Sequence, residues 1–202
     1  MIDFFALLDE PRRPWLDPDL LKKKFLALSA TAHPDRAHSA SPEEKHAAQQ
    51  HFAELTVAYN RLKEPKERLK HLLELELARK PQELHNIPKE LSGFFLEVGT
   101  ACVEADKLLA EKAAASSHLQ RAQIFERSQE KAELLTALLG RLNSWGEGLL
   151  AELKKTDGDW DAPKEDDSRN QKLETLEELW RLFGYHARWT SQLREKIAQL
   201  SF

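Results

Sequence analysis

His33, Pro34 and Asp35 form the one short cluster in the chain whose residue types and order suggest a recognition chemistry. A proline in the centre fixes one backbone dihedral, so a loop carrying it loses less entropy when it docks on another molecule. Asp35 is a strong acceptor that can take a charge-assisted hydrogen bond from a partner's arginine. His33 can donate or accept and is partly neutral near pH 7. Lys22, Lys23 and Lys24 precede the cluster and Arg36 follows it. Together they offer a small positive field that would steer an acidic partner and weaken with salt. Taken alone, the lysine run would read as an ordinary solvated helix face; its place beside the tripeptide is what favours the steering role.

Other chemistries find little support. His33, His38 and Asp35 could be drawn as metal ligands, but no cysteine or glutamate cluster completes such a site, and ordinary loop residues are the better reading. His46 and His51 are five apart, which is not the spacing of a helical ligand pair. No nucleophile sits beside a base, no glycine-rich loop could cradle phosphate, and no carboxylate pair stands out from the surface charge. The expectation is a protein that is not an enzyme and has no cofactor and no metal. The single cysteine, Cys102, falls on an apolar helical stripe and reads as a small buried hydrophobe rather than a reactive thiol.

The elements that must position the tripeptide are helical. Asp17-Pro18-Asp19 is a helix start, with a capping carboxylate, a proline at the first position and an acidic residue at the positive end. Leu21, Phe25, Leu28 and Ala32 then recur on one face. Pro34 disfavours helix at His33, so this helix must stop near Ala32. Ser41-Pro42-Glu43-Glu44 is a capping box, and Ala48, Phe52, Leu55, Tyr59 and Leu62 form the next stripe. Pro65 ends that helix and opens a shorter one near 66–78, with Leu69, Leu72, Leu73 and Leu77. Two opposed stripes predict an antiparallel hairpin with residues 33–40 in its connection.

Pro81, Pro88 and Gly93 mark a boundary, and three longer helical patterns follow at about 91–115, 118–155 and 170–200. Gly140, Gly146 and Gly148 lie inside the second, and the acidic segment 156–169 breaks the pattern at Gly158 and Pro163 before the third. With no other partner in the sequence, these three amphipathic helices are expected to form an antiparallel bundle. The predicted division is 1–79, a linker at 80–93, and a bundle at 94–202. Of 202 residues, 41% are hydrophobic and 32% charged, with seven glycines, which favours an all-α chain over a sheet protein. A net charge of −4 argues against a general nucleic-acid binder. No stretch approaches the roughly 20 apolar residues of a membrane span, and Met-Ile-Asp-Phe-Phe does not look like a signal peptide, so the cytoplasm is the expected compartment.

The order helix, His33-Pro34-Asp35, loop, capped helix with Ala58-Tyr59-Asn60-Arg61-Leu62, then Glu64-Pro65 and Arg68 resembles the J-domain family. Within it, Phe4-Phe5-Ala6-Leu7-Leu8, Pro11-Arg12, Leu16-Asp17 and Arg36 make the chain similar to HscB-type co-chaperones of iron–sulfur cluster assembly. It lacks the Gly/Phe-rich linker and the CxxCxGxG repeats of general DnaJ-type proteins. The resemblance implies a J-domain followed by a three-helix bundle. It implies that His33, Pro34, Asp35 and Arg36, with Lys22, Lys23 and Lys24, dock on a DnaK/HscA-type chaperone and stimulate its ATPase. It further implies an iron–sulfur scaffold protein as client. The HscB type opens its bundle with a Phe-Leu-Met, acidic, Arg-Glu segment. Here Phe94-Phe95-Leu96-Glu97 continues into Val98-Gly99-Thr100 without the Arg-Glu pair. Phe94, Phe95 and Glu97 are the corresponding client-binding candidates. Exposure of Phe94, Phe95 and Trp189 together would mark a client groove or a homodimer face. Another client, or a helical adaptor with an incidental tripeptide, are the alternative functions.

Overall fold

In a computed structural model, the structure describes residues 2–32, 41–82, 87–158, 160 and 166–201. Among these the chain is all-α, as the composition and periodicity predict, with α1 at Phe4–Leu7, α2 at Pro18–Thr31, α3 at Pro42–Lys63 and α4 at Pro65–Leu77. A 3-10 turn, Lys89–Leu91, leads into α5 at Ser92–Ala114, α6 at His118–Gly158 and α7 at Asp166–Ser201.

The helix starts are chemical. The Asp17 carboxylate accepts the backbone N–H groups of Asp19 and Leu20, both at 3.0 Å, ahead of Pro18 at the first helical position. At α3 the capping box closes both ways: Glu44 N–H donates to Ser41 Oγ at 3.2 Å, and Ser41 N–H donates to the Glu44 carboxylate at 2.8 Å. Ser41→Ala is therefore expected to cost about 1 kcal/mol. It should speed amide exchange in the first turn of α3 while leaving exchange near Leu62 unchanged. Pro65 begins α4 without any side-chain cap, and α4 closes on Ala78 in the left-handed region at φ 51°.

The chain packs as two compact units. The first comprises residues 1–82 together with 150–181. Phe5, Leu8, Leu21, Leu55, Leu62, Leu69, Leu72 and Leu73 are sealed from solvent, as are Leu153 and Leu176 from the later part of the chain. Leu21, Leu55, Leu62, Leu69, Leu72 and Leu73 belong to the stripes predicted for the hairpin and its short third helix; Phe5 and Leu8, the end of α6 and the start of α7 join them. The polar contacts explain why those distant segments belong there. Arg13 makes a bidentate pair with Asp157, with Nη2 to Oδ2 at 2.6 Å and Nε to Oδ1 at 3.0 Å, and Trp15 N–H donates to the same carboxylate at 3.0 Å. Trp160 Nε1–H donates to the Arg12 carbonyl at 2.7 Å, and the Arg169 guanidinium lies 3.5 Å from the Trp160 ring centroid. Glu177, nearly buried, accepts from Arg79 and from Gln82 N–H; burial pushes its carboxyl up, but these hydrogen bonds and the nearby arginines hold it below the usual range.

The second unit comprises residues 83–149 and 182–202, with a core of Val98, Ala105, Leu108, Leu135, Leu142, Trp189, Leu193 and Leu200. α6 continues through Gly140, Gly146 and Gly148 without a break. An added Cβ at Gly140 or Gly148 would meet nothing within 4 Å, whereas at Gly146 it would lie 2.5 Å from His186 Nε2. Gly146 is thus required by a close approach of the His186 ring.

Candidate functional site

α2 and α3 form the arms that hold the tripeptide. α2 ends at Thr31 and α3 begins at Pro42, so the tripeptide falls in the connection between them. His33, Pro34, Asp35 and Arg36 themselves lie outside the described residues. The arms are set against each other by Leu21 and Leu55, both buried, and by a face-to-face stack of Phe25 on Tyr59, with centroids 4.3 Å apart and planes at 9°. Lys63 Nζ lies 5.5 Å over the same tyrosine ring.

The lysine run divides. Lys22 and Lys23 are exposed on the outer face of α2. Lys24 is turned inward: its ammonium donates to the Asp9 carbonyl at 2.6 Å and pairs with Glu10 at 3.1 Å. It therefore fastens α2 to the segment after α1, where Asp9 sits at φ 54°. Lys24 flanks the Leu21–Leu28 stripe at i+3 and i−4, which accounts for its inward placement.

Arg68 anchors the other end of the hairpin. It is buried, and its guanidinium donates to the Pro14 carbonyl at 2.8 Å and the Leu62 carbonyl at 2.7 Å. Loss of solvent lowers its pKa to about 10 despite Asp157 and Glu64 nearby, so it remains cationic. These bonds tie the segment before α2 to the last turn of α3.

In the second unit the client candidates are arranged differently from expectation. Trp189 is only 4% exposed, and Phe94 is half-buried against it and against Trp145, at centroid distances of 6.4 and 5.7 Å. Phe94, Phe95 and Trp189 are not exposed together, because two of the three fill the core between α5, α6 and α7. Phe95 does reach solvent, at 47%, and it is joined on α5 by Leu96 and Val103, at 64% and 54%. Leu96 and Val103 are seven residues apart and share a helix face. Glu97 pairs with Arg141 of α6 at 2.5 Å, and the Arg141 guanidinium also lies 5.5 Å from the Phe94 ring. The exposed aliphatic pair was not picked out from sequence, where it reads as part of a generally apolar helix. Cys102 is half-buried, and burial raises its thiol pKa, consistent with an unreactive side chain. Among the described residues no group of three or more His, Cys, Asp or Glu side chains could hold a metal ion, and no helix is long and apolar enough to cross a membrane.

No family model matches the chain. Sequence relatives do. A co-chaperone protein HscB homolog of Bordetella petrii is 38% identical over 72 residues, and one of Shewanella loihica is 38% identical over 75. Two solved structures superpose on nearly the whole chain. Chaperone HscB from Vibrio cholerae gives a TM-score of 0.58 at 20% identity, covering 98% of this chain and 99% of that one. Human co-chaperone HscB gives 0.54 at 21% identity, covering 98% and 81%. The chain is similar to HscB in fold and, over 72–75 residues, in sequence. The fold is that of the HscB structures, a J-domain with a helical bundle, and the sequence relatives are HscB co-chaperone homologs. The sequence match spans 36–37% of this chain and 42–43% of those two relatives, less than half of their length.

Proposed function

We propose that this protein is a J-domain co-chaperone that stimulates ATP hydrolysis by a DnaK/HscA-type chaperone in the cytoplasm and presents a client to it. The observation that carries the reading is the α2–α3 hairpin: two helices locked by the Phe25–Tyr59 stack, with His33-Pro34-Asp35 in their connection and Lys22 and Lys23 exposed on the adjoining face. In this reading residues 1–79 act as the J-domain, 80–93 as linker and 94–202 as client-binding bundle. His33, Pro34, Asp35 and Arg36 make the specific contact. Lys22 and Lys23 steer the acidic partner, and Lys24 acts as a positioning residue through Asp9 and Glu10.

The client is an iron–sulfur cluster scaffold protein, as the resemblance to HscB-type co-chaperones implies. The surface that supports such a contact is the exposed part of α5, the face shared by Leu96 and Val103 with Phe95 at its edge. Phe94 backs it from the core, and Glu97 contributes as the partner of Arg141. A second copy of the chain is the rival occupant of this face.

Single-turnover ATP hydrolysis by the chaperone of the same organism tests the first part. The wild type should accelerate it, and His33→Gln should reduce that acceleration on the order of tenfold, the worth of one hydrogen bond of about 1.4 kcal/mol in the transition state. No acceleration by the wild type would overturn the co-chaperone reading, and equal acceleration by both would overturn the role of the tripeptide. Capture of the scaffold protein, lost in Phe95→Asp, tests the client. Self-association lost in the same variant, without scaffold capture, would assign the face to a homodimer.

A further inference from the structure

His71 is buried at the contact of α4 with α1, and its imidazole completes α1 from outside that helix. The backbone N–H of Phe4, the first residue of α1, donates to His71 Nε2 at 3.0 Å. A four-residue helix has almost no internal hydrogen bonds, so each N–H satisfied by tertiary structure weighs heavily in whether it forms. Phe5 and Ala6 N–H are taken by the Asp3 carboxylate, leaving Phe4 N–H to the histidine. The ring is held between Phe4, at a centroid distance of 4.6 Å, and Phe5, stacked at 5.7 Å and 12°. An imidazole can accept at Nε2 only when that nitrogen carries no proton. We propose that His71 is a proton-sensitive latch: neutral, it seats α1 on the first unit, and protonated, it turns an acceptor into a donor facing the Phe4 N–H and releases α1.

The charged groups around the ring act in both directions. Asp3, from the turn before α1, lies 4.0 Å from Nε2, and Glu74, one turn along α4, also favours the imidazolium. Arg61 of α3 and Arg12 of the segment following α1 oppose it. Asp3 is itself committed to Arg12 at 2.7 Å and to two backbone N–H groups, which blunts its attraction for a proton on the ring. Burial outweighs the pull of the two carboxylates and holds the His71 pKa below its ordinary value of 6.5. The released chain therefore binds the proton more tightly than the seated one. Above about pH 6.5 the latch is fully closed, and it weakens as the pH falls through the interval between 6.5 and the lowered pKa of the seated state. α1 carries Phe5, which is sealed from solvent, so its release would uncover apolar surface beneath the hairpin.

The test is a pH series from 7.5 to 5 on the full chain, following the imidazole resonances of His71 and amide-exchange protection at Phe4–Leu8 by NMR. His71 should titrate below 6.5. Within the titration interval, protection at Phe4–Leu8 should fall about tenfold per pH unit, one proton being taken up on release. Protection at Leu55–Leu62 should not follow it, which separates the latch from global acid unfolding. In Asp3→Asn, which keeps a capping oxygen but removes the charge, His71 should titrate lower still. His71→Gln, able to accept without titrating, should abolish the pH dependence at α1. Titration of His71 at 6.5 or above, or protection at Phe4–Leu8 that does not change with pH, would overturn the proposal. So would retention of the wild-type pH dependence in a folded His71→Gln protein.

Discussion

Replacing Asp157 by alanine should destabilise the first unit by about 3 kcal/mol, the lower end of what removing one partner from a buried ion pair costs, because Arg13 keeps partial access to water. The carboxylate holds Arg13 through two nitrogens and takes the Trp15 N–H, so its loss removes the bidentate contact to Arg13 and leaves the Trp15 backbone donor without its acceptor. Arg68 also loses a nearby anion that favours its charge. Asp157→Asn should fall between wild type and alanine, since an amide oxygen can still accept from Trp15. Urea unfolding would give the magnitude. Hydrogen exchange would give the location, with protection lost over 150–158 and the segment from Arg12 to Leu16 and retained over 98–142. An unchanged urea midpoint together with unchanged exchange at 150–158 would show that the apolar contacts of Leu153 and Leu176 alone hold these segments in the unit.

That pair also marks where the sequence stops being readable. The helical stripes are local: Leu21-Phe25-Leu28 and Leu55-Tyr59-Leu62 announce both the helix and its buried face, and Asp17, Ser41 and Pro65 announce the starts. These signals act within a turn or two of the chain, so they yield the hairpin, the short α4 and the three later helices. Arg13 and Asp157 are 144 residues apart, and nothing periodic connects them. Asp157 and Trp160 read as part of an acidic interruption, although they tie the end of α6 to the first unit. The lysine run shows a subtler limit. Three consecutive lysines look equivalent in sequence, but successive helical residues are about 100° apart, so Lys24 reaches Asp9 and Glu10 while its neighbours face water. The role proposed for His33-Pro34-Asp35 comes from the resemblance, because periodicity could not supply one.

The same reasoning separates two parts of the proposed activity. Lys22 and Lys23 can change how fast a partner arrives without altering the hairpin, and their contribution should fade with salt. Lys24, Arg68 and the Phe25–Tyr59 stack set the geometry of the arms, so their loss should persist at any ionic strength. A client contact at Phe95, Leu96 and Val103 depends on neither, because it rests on the α5 surface of the second unit.

Within that unit, alanine substitutions at two glycines one helix position apart from Glu147 on either side should have opposite signs. Gly148 has open space where a Cβ would go, so Gly148→Ala should stabilise by up to about 1 kcal/mol through helix propensity alone. At Gly146 the same methyl would sit 2.5 Å from His186 Nε2 and 2.9 Å from Cε1. The His186 ring is also held edge-on to Trp145 at a centroid distance of 5.8 Å, which restricts its retreat. Overpacking of about 1–3 kcal/mol then outweighs the propensity gain, and Gly146→Ala should be net destabilising by about 1 kcal/mol. Among the described residues the buried Nε2 has no hydrogen-bond partner, and burial and Arg194 lower the pKa of His186, so the ring packs as a neutral group. Combining Gly146→Ala with His186→Ala should therefore recover most of the loss, giving a coupling of about 1–2 kcal/mol in a double-mutant cycle measured by urea unfolding. Additive effects in that cycle would mean that the ring moves aside freely and that Gly146 is there for some reason other than the close approach of α6 and α7.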